Sequence, residues 1–303
     1  MKVLVTGGSG FIASHTILKL IELGITPIVM DYHKRTSYPD GVELILGDVR
    51  GAVVVNEAVA KSDGVLHIAG VLGTSETIAN PIPAVETNIL GGINIFQACK
   101  AYDKRCVYIT VGNYWMNNSY SITKTTSERF AWMFNKEFDT KIAVVRALNA
   151  YGPGQKEKPV RKIMPNFIIP ALLDKEITVY GDGKQIMDMI FVEDVADILI
   201  RALLLDHNQY KFDPTQNEDN KVRFEAGTGR NTTVQEIAQM VIDIVGKGTI
   251  KNIPMRQGEP EGSIVVGNPD TLASLYDEKT PELTSLEDGL IPTIEYYKRY
   301  LKL

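Results

Sequence analysis

Short apolar runs punctuate the first half of the chain. Residues 2–6, 25–30, 42–46, 64–69, 106–110 and 141–148 are rich in Val, Ile and Leu, and most stop at a glycine, Asp or Asn. Runs of this length and composition read as strands buried on both faces. Between them the apolar positions take helical spacing. One such stretch follows the first run through Leu23. Another spans about Thr87 to Ala101, with Ile89, Ile93 and Phe96 on one face. Strands alternating with helices predict an α/β fold, a Rossmann-type doubly wound parallel sheet. Ligands of such sheets lie beyond the carboxyl ends of the strands. Thr110, Asn149 and the residues after Ala69 fall at such ends.

The second half is more broken, with Pro165, Pro170, Gly181 and Gly183 interrupting it. Residues 206–221 read as a polar surface loop. Thr233-Val-Gln-Glu236 is a capping box that starts a helix through Val245, and a last helix is expected from about Leu286 to Leu301. The strand near Met189–Val192, the helix after it and the strand near Val222–Ala226 are expected to return to the large sheet. The expected division is a dinucleotide-binding domain (1–148 with 189–229) and a smaller, discontinuous α/β substrate domain (149–188 with 230–303).

Composition narrows the function. Apolar content of 44% and charged content of 23% are ordinary for a globular enzyme. A net charge of −5 offers nothing for nucleic acid or an anionic membrane. The longest apolar stretches, such as residues 167–173, are too short to span a bilayer. Met1-Lys2 leads directly into the first strand with no signal-peptide pattern, which suggests a cytoplasmic protein. Cys99 and Cys106 have no metal or redox spacing and read as reduced, buried thiols. His15, His33, His67 and His207 are scattered, so no catalytic metal is expected.

The first strand opens into Thr6-Gly-Gly-Ser-Gly-Phe-Ile-Ala-Ser-His15. Gly8, Gly10 and Ala13 fit G-x-G-x-x-[G/A], and Gly7, Gly10 and Ala13 fit the spaced variant. Glycines permit the tight turn and let backbone N–H groups approach a pyrophosphate; the small residue lets helix pack on strand. The second strand ends at Asp31, roughly 20 residues on, where a carboxylate accepts bonds from the adenosine ribose. Asp31 also repels a 2′-phosphate, favouring NAD over NADP, although His33, Lys34 and Arg35 sit nearby.

Tyr120-Ser-Ile-Thr-Lys124 places a phenol and an ammonium one helical turn apart. A phenol is a poor base at neutral pH, and a nearby ammonium is expected to lower its pKa. Such a pair exchanges a proton with a sugar hydroxyl. Alone, the pattern is equally a solvated helix start.

Together these pieces resemble the nucleotide-sugar epimerase/dehydratase family of extended short-chain dehydrogenases/reductases, and the motifs are UDP-glucose 4-epimerase-like. Further matching motifs are Gly47-Asp48-Val49, His67-Ile-Ala, Asn88-x-x-Gly-Gly, Arg146-Ala-Leu-Asn-Ala-Tyr-Gly-Pro-Gly154, Val179-Tyr-Gly-Asp-Gly183, Phe191-Val-Glu-Asp-Val195, Gly227-Thr-Gly229 and Arg256-Gln-Gly-Glu259. The resemblance assigns Gly7, Gly10, Phe11, Ile12, Asp31, Asp48, Val49, Ile68, Ala69, Tyr120 and Lys124 to an NAD cofactor. Asp48 and Val49 would border the adenine, and Lys124 would hold the nicotinamide ribose. Asn149 and Arg256 would contact a nucleoside diphosphate, and Tyr180 would pack on the base. Each of these three also has an ordinary reading: a turn residue, a surface charge, strand packing. The resemblance further implies a homodimer in which the helices following residues 88 and 120 pair across subunits.

Three departures bear on the reaction. Only residues 111–119 separate Thr110 from Tyr120, as in the inverting 4,6-dehydratase branch, which puts Thr110 where a hydroxyl is bound; alternatively its side chain bonds the backbone. The next positions, where dehydratases carry an acid and a base, are Val111 and Gly112. The family's arginine after Gly-Asp-Gly-x-Gln-x is Met187. The loop 113–118 either lines the sugar pocket or packs as core. The reading these features give is a nucleotide-sugar 4-epimerase whose catalytic residues are Tyr120, Lys124 and Thr110. The alternatives are a 4,6-dehydratase, a 4-ketoreductase or a catalytically silent dinucleotide sensor.

Overall fold

The computed structural model describes residues 1–33, 38–205 and 223–303. Lys34, Arg35, His207, the loop at 206–221 and Val222 lie outside the described residues.

The first half builds strands β1 (Lys2–Thr6), β2 (Thr26–Asp31), β3 (Glu43–Leu46), β4 (Gly64–His67), β5 (Arg105–Val111) and β6 (Ile142–Ala147). Between them run helices α1 (Phe11–Glu22), α2 (Ala52–Ala60), a short α3 (Ile82–Ala84), α4 (Gly91–Ala101) and α5 (Ser119–Phe138). The helical stretch expected from Thr87 begins earlier. Pro81 and Pro83 open it, proline being tolerated in a first turn, and it widens to a π-helix over Val85–Leu90 before α4.

The second half adds β7 (Asn149–Tyr151), α6 (Ile163–Leu172), β8 (Glu176–Tyr180), β9 (Ile186–Met187), β10 (Met189–Phe191) and α7 (Val192–Leu204). Then come β11 (Arg223–Ala226), β12 (Thr232–Thr233), α8 (Val234–Val245), β13 (Thr249–Ile253), β14 (Ile264–Val265) and α9 (Leu286–Leu301). The capping box at Thr233 and Glu236 forms as its sequence requires, and Gly246 closes α8 at φ +81°.

The large sheet has seven strands in the order β11-β6-β5-β4-β1-β2-β3, and every neighbouring pair is parallel. The order reverses between β1 and β4, the switch point where such sheets bind ligands. Successive residues of β1 face opposite sides. Val3 and Val5 join the apolar cluster under α1 and α7, while Leu4 joins the cluster under α2, α4 and α5. A third cluster gathers α6, β8, α8 and α9.

One expectation is corrected. β11 does return to the large sheet, beside β6, but β10 does not. Because β11 occupies the place next to β6, β10 pairs instead with β7, Met189 opposite Asn149. Met189 and Phe191 enter the third cluster while Ile190 enters the first, so β10 forms the seam between them. The turn at Pro269–Leu275 likewise sends Leu272 and Leu275 into the cluster of the large sheet.

Asp188 knots this seam. Its fully buried carboxylate accepts from Thr228 N–H (2.9 Å), Thr228 Oγ1 (2.6 Å), Gly229 N–H (2.9 Å) and Gly267 N–H (3.1 Å). Asp188→Ala leaves one buried donor, the Gly267 N–H, and three partly buried ones without their partner, and a buried unsatisfied group costs about 1–3 kcal/mol. The expected loss is about 3–5 kcal/mol of stability, read as a lower urea midpoint.

Candidate active site

The site forms where β1 and β4 part. Gly7 follows β1 at φ +72°, and a Cβ there would lie 2.8 Å from the Cα of Ala69. At Gly8 a Cβ would meet Val29 at 2.2 Å. Gly10 starts α1 with no side-chain cap and no acid in the first turn. That leaves the N–H groups and positive end of the helix to an anion. Phe11 packs edge-on to His15 at 5.6 Å, and Ile12 packs against the core below.

Asp31 is buried at the end of β2, accepting from the N–H groups of Ser9 and His33, both at 2.9 Å. These bonds aim its carboxylate at the glycine turn. The glycine cradle, open helix start and aimed acid together fit a dinucleotide. Asp48 is less open. Arg50 grips both its oxygens, at 2.7–3.1 Å, and holds its carboxyl below the usual range. Val49 is buried against Gly91.

Thr6 ties the two strand ends together. Its hydroxyl oxygen accepts from the N–H groups of Ile68 and Ala69, each at 3.1 Å. Both lone pairs are then used, so its proton goes to His67 Nδ1 at 2.8 Å. His67 is therefore the Nε2–H tautomer, and that nitrogen has no partner. The ring is fully buried, stacked on Tyr108 at 5.5 Å. Burial, with help from Lys124, pushes its pKa down to about 3.

Beyond β4, Asn88 spans three segments. Its Oδ1 accepts from Val71 N–H (2.8 Å), and its Nδ2 donates to Val71 C=O (3.1 Å) and Thr123 Oγ1 (3.0 Å). The π-helical stretch that carries Asn88 thus fastens the loop after β4 to α5.

Helix α5 carries Tyr120 and Lys124. Asn118 caps it, accepting from Ser121 N–H at 2.9 Å, and this puts Tyr120 in the first turn. Asn118 Nδ2 also donates to Gly258 C=O at 3.3 Å, so the start of α5 is fixed to the segment bearing Arg256. Lys124 is 3% exposed, its Nζ 4.2 Å from the Tyr108 ring. The expected lowering of the Tyr120 pKa is not what this pocket produces. Burial raises the phenol and brings Lys124 down to about 7. Loss of hydration is the largest cause for both groups.

Thr110 lies at the end of β5, buried, and its Oγ1 has no hydrogen-bond partner. The backbone bond considered for it does not form. Val111 is buried, and a Cβ on Gly112 would meet Leu148 at 2.2 Å. In the following loop Met116 is core, Trp115 is exposed, and the Tyr114 ring covers the Arg146 guanidinium at 3.9 Å.

A second group of residues flanks this centre. Arg256 bonds Glu259 at 2.5 and 2.9 Å, lies 3.8 Å from Glu76, and sits 5.4 Å from the Tyr180 ring. Arg161 donates to Tyr180 Oη, and its N–H bonds Glu76 at 3.1 Å. Burial pushes the Lys162 ammonium down, opposed by Glu76. Arg161, Lys162 and Glu76 stand outside every motif in the sequence, so only the fold brings them to Arg256. Asn149 Nδ2 donates one bond to the Asp188 carbonyl at 3.1 Å, which leaves Oδ1 and a second N–H for a ligand.

The sequence matches the NAD dependent epimerase/dehydratase family over residues 3–212, and the chain belongs to that family. Its dinucleotide is accordingly NAD. The chain is 26% identical to a UDP-N-acetyl-alpha-D-glucosaminuronate decarboxylase of Bacillus cytotoxicus, covering 97% of both chains. It is similar in structure to UDP-glucose 4-epimerase of Thermus thermophilus in complex with NAD (TM-score 0.84, 25% identity, 98% of this chain and 99% of that one). It is also similar to the Thermotoga maritima UDP-glucose 4-epimerase with UDP-glucose (TM-score 0.85, 25% identity, 99% and 100%). Among the described residues no helix is long and apolar enough to cross a membrane.

The neutral His67 has a consequence for acid stability. An unfolded chain protonates this ring near 6.5, while the folded chain resists protonation until about pH 3. The contribution of this group to stability is therefore complete above pH 6.5 and is lost progressively as pH drops toward 3. The slope from this one group is at most about 1.4 kcal/mol per pH unit. Urea titrations across that window are expected to show a shallower slope for His67→Asn than for the wild type.

Proposed function

We propose that the protein is an NAD-dependent UDP-sugar 4-epimerase. The observation that carries this reading is the Thr110–Tyr120 geometry. A buried hydroxyl without a partner lies at the end of β5, a phenol follows in the first turn of α5, and no acid or base side chain fills positions 111 and 112. Dehydration of a 4-keto sugar needs a base at C5 and an acid at the C6 hydroxyl. Decarboxylation needs a proton returned to carbon. Epimerisation needs neither group.

The steps assigned to the chain are few. Tyr120, as phenolate, takes the proton of the C4 hydroxyl, and Thr110 Oγ1 donates a hydrogen bond to the same oxygen. Lys124 supplies the positive charge that favours the phenolate. NAD, when bound, supplies a reversible acceptor for the C4 hydride. The 4-keto sugar turns over in the pocket and is reduced on its other face, and Tyr120 returns its proton. Nothing is consumed, so retained NAD suffices.

The nucleoside diphosphate is assigned to a smaller lobe, residues 149–188 with 230–303. Arg256, Arg161 and Lys162 supply the positive charge there, which offsets the missing arginine at Met187. The Tyr180 ring, flanked by two guanidiniums, takes the base, and the Oδ1 of Asn149 accepts from the substrate. A homodimer is part of the same reading.

The test is incubation with UDP-glucose, UDP-N-acetylglucosamine and UDP-glucuronate, read by proton NMR and mass. Appearance of the 4-epimer at unchanged mass is the expected result. Loss of water, loss of carbon dioxide or net consumption of NADH would each overturn it, as would NAD binding without turnover on any substrate. Tyr120→Phe is expected to lower kcat by about 10²–10⁴-fold and Thr110→Val by roughly 10–100-fold, both with bound NAD retained.

A further inference from the structure

Tyr120, Lys124 and Glu128 follow one another at successive turns on one face of α5. Glu128 is fully buried. Its carboxylate accepts from Arg146 of β6, from Nε at 3.0 and 3.3 Å and from Nη2 at 2.6 Å. Arg146 is itself 5% exposed, with Nη1 3.7 Å from Glu225 of β11 and the Tyr114 ring over its guanidinium. A buried carboxylate requires such a partner. On this ground alone Glu128 is a strut joining α5 to the sheet.

Its place beside Lys124 points further. The groups facing Lys124 are Tyr120 and Glu128 on its own helix, the Tyr108 ring of β5 and the neutral His67 of β4. Of these only Glu128 brings a negative charge. We propose that Glu128 is a positioning residue for the reaction: clamped by Arg146, its carboxylate is the counter-charge that holds the Lys124 ammonium beside Tyr120. Glu128 acts through Lys124 and not on the substrate. Burial draws the Lys124 pKa down, Glu128 opposes that fall, and the balance lies at about 7. Arg146 fixes the position of that carboxylate through three hydrogen-bond contacts.

The proposal rests on Tyr120 and Lys124 being the reacting pair, whatever sugar they act on. Its test reads Lys124 directly. The full chain, purified with its NAD and labelled with carbon-13 at the lysine ε-carbons, is titrated by NMR. The Lys124 signal is identified by its absence in Lys124→Arg. In Glu128→Gln the midpoint is expected to fall by about one pH unit or more, and the alkaline limb of kcat moves down with it. Glu128→Asp keeps the charge and restores most of the midpoint. Glu128→Gln also leaves Arg146 short of a partner, so the double variant Glu128→Gln/Arg146→Met removes both charges together, and its midpoint is likewise expected to be low. A wild-type midpoint in both Gln variants, with only thermal stability reduced, would leave Glu128 a strut and overturn the proposal. Failure of the epimerase reading looks different: no 4-epimer forms, yet the Lys124 midpoint still moves.

Discussion

An ammonium held out of water is the constraint around which this site is arranged. Lys124 lies at 3% exposure at the mouth of a parallel sheet. Burial there weakens any charge that lacks compensation. The compensations come from separate elements: the face of the Tyr108 ring at 4.2 Å, and the Glu128 carboxylate one turn along the helix. The same dryness raises the Tyr120 phenol. Neither group is comfortable alone in its charged form, so each gains most from charge supplied by the other or by a bound partner. A pocket of this kind favours movement of a proton more than storage of one.

The frame holding that pocket is made of short polar ties. Thr6 joins the ends of β1 and β4 through one hydroxyl that accepts two hydrogen bonds and donates a third. Asn88 joins the loop after β4 to α5, and Asn118 joins the start of α5 to the Arg256 segment. Each tie crosses between elements distant in sequence. Their effect is to fix the glycine turn, the Tyr120–Lys124 turn and the cationic patch relative to one another, while the apolar clusters supply the bulk of the stability.

Much of this was legible in the sequence, for reasons that can be stated residue by residue. The parallel sheet was readable because strands buried on both faces leave continuous apolar runs, and the capping box at Thr233 and Glu236 because its bonds are local. Tyr120 and Lys124 were readable because helical spacing alone puts them together. What escaped depends on contacts at long range. The pairing of β10 with β7 follows from β11 occupying the neighbouring edge, which no local pattern encodes. Arg161 and Lys162 meet Glu76 and Arg256 only through the fold. The phenol's rise required knowing the depth of its burial. Glu128 was within reach, since it repeats the spacing of Tyr120 and Lys124 by one more turn, but an acid on a helix is ordinarily a solvated one.

The close packing of Gly112 against Leu148 carries a consequence for how this chain can change. Any side chain at 112 would collide with Leu148, and the same leucine also crowds Gly227 and Gly267. An acidic group introduced at 112 therefore requires Leu148 to move or to shrink, and a smaller residue at 148 would lose packing at the seam it fills. Position 112 is thus coupled by steric fit to Leu148, and through that leucine to Gly227 and Gly267.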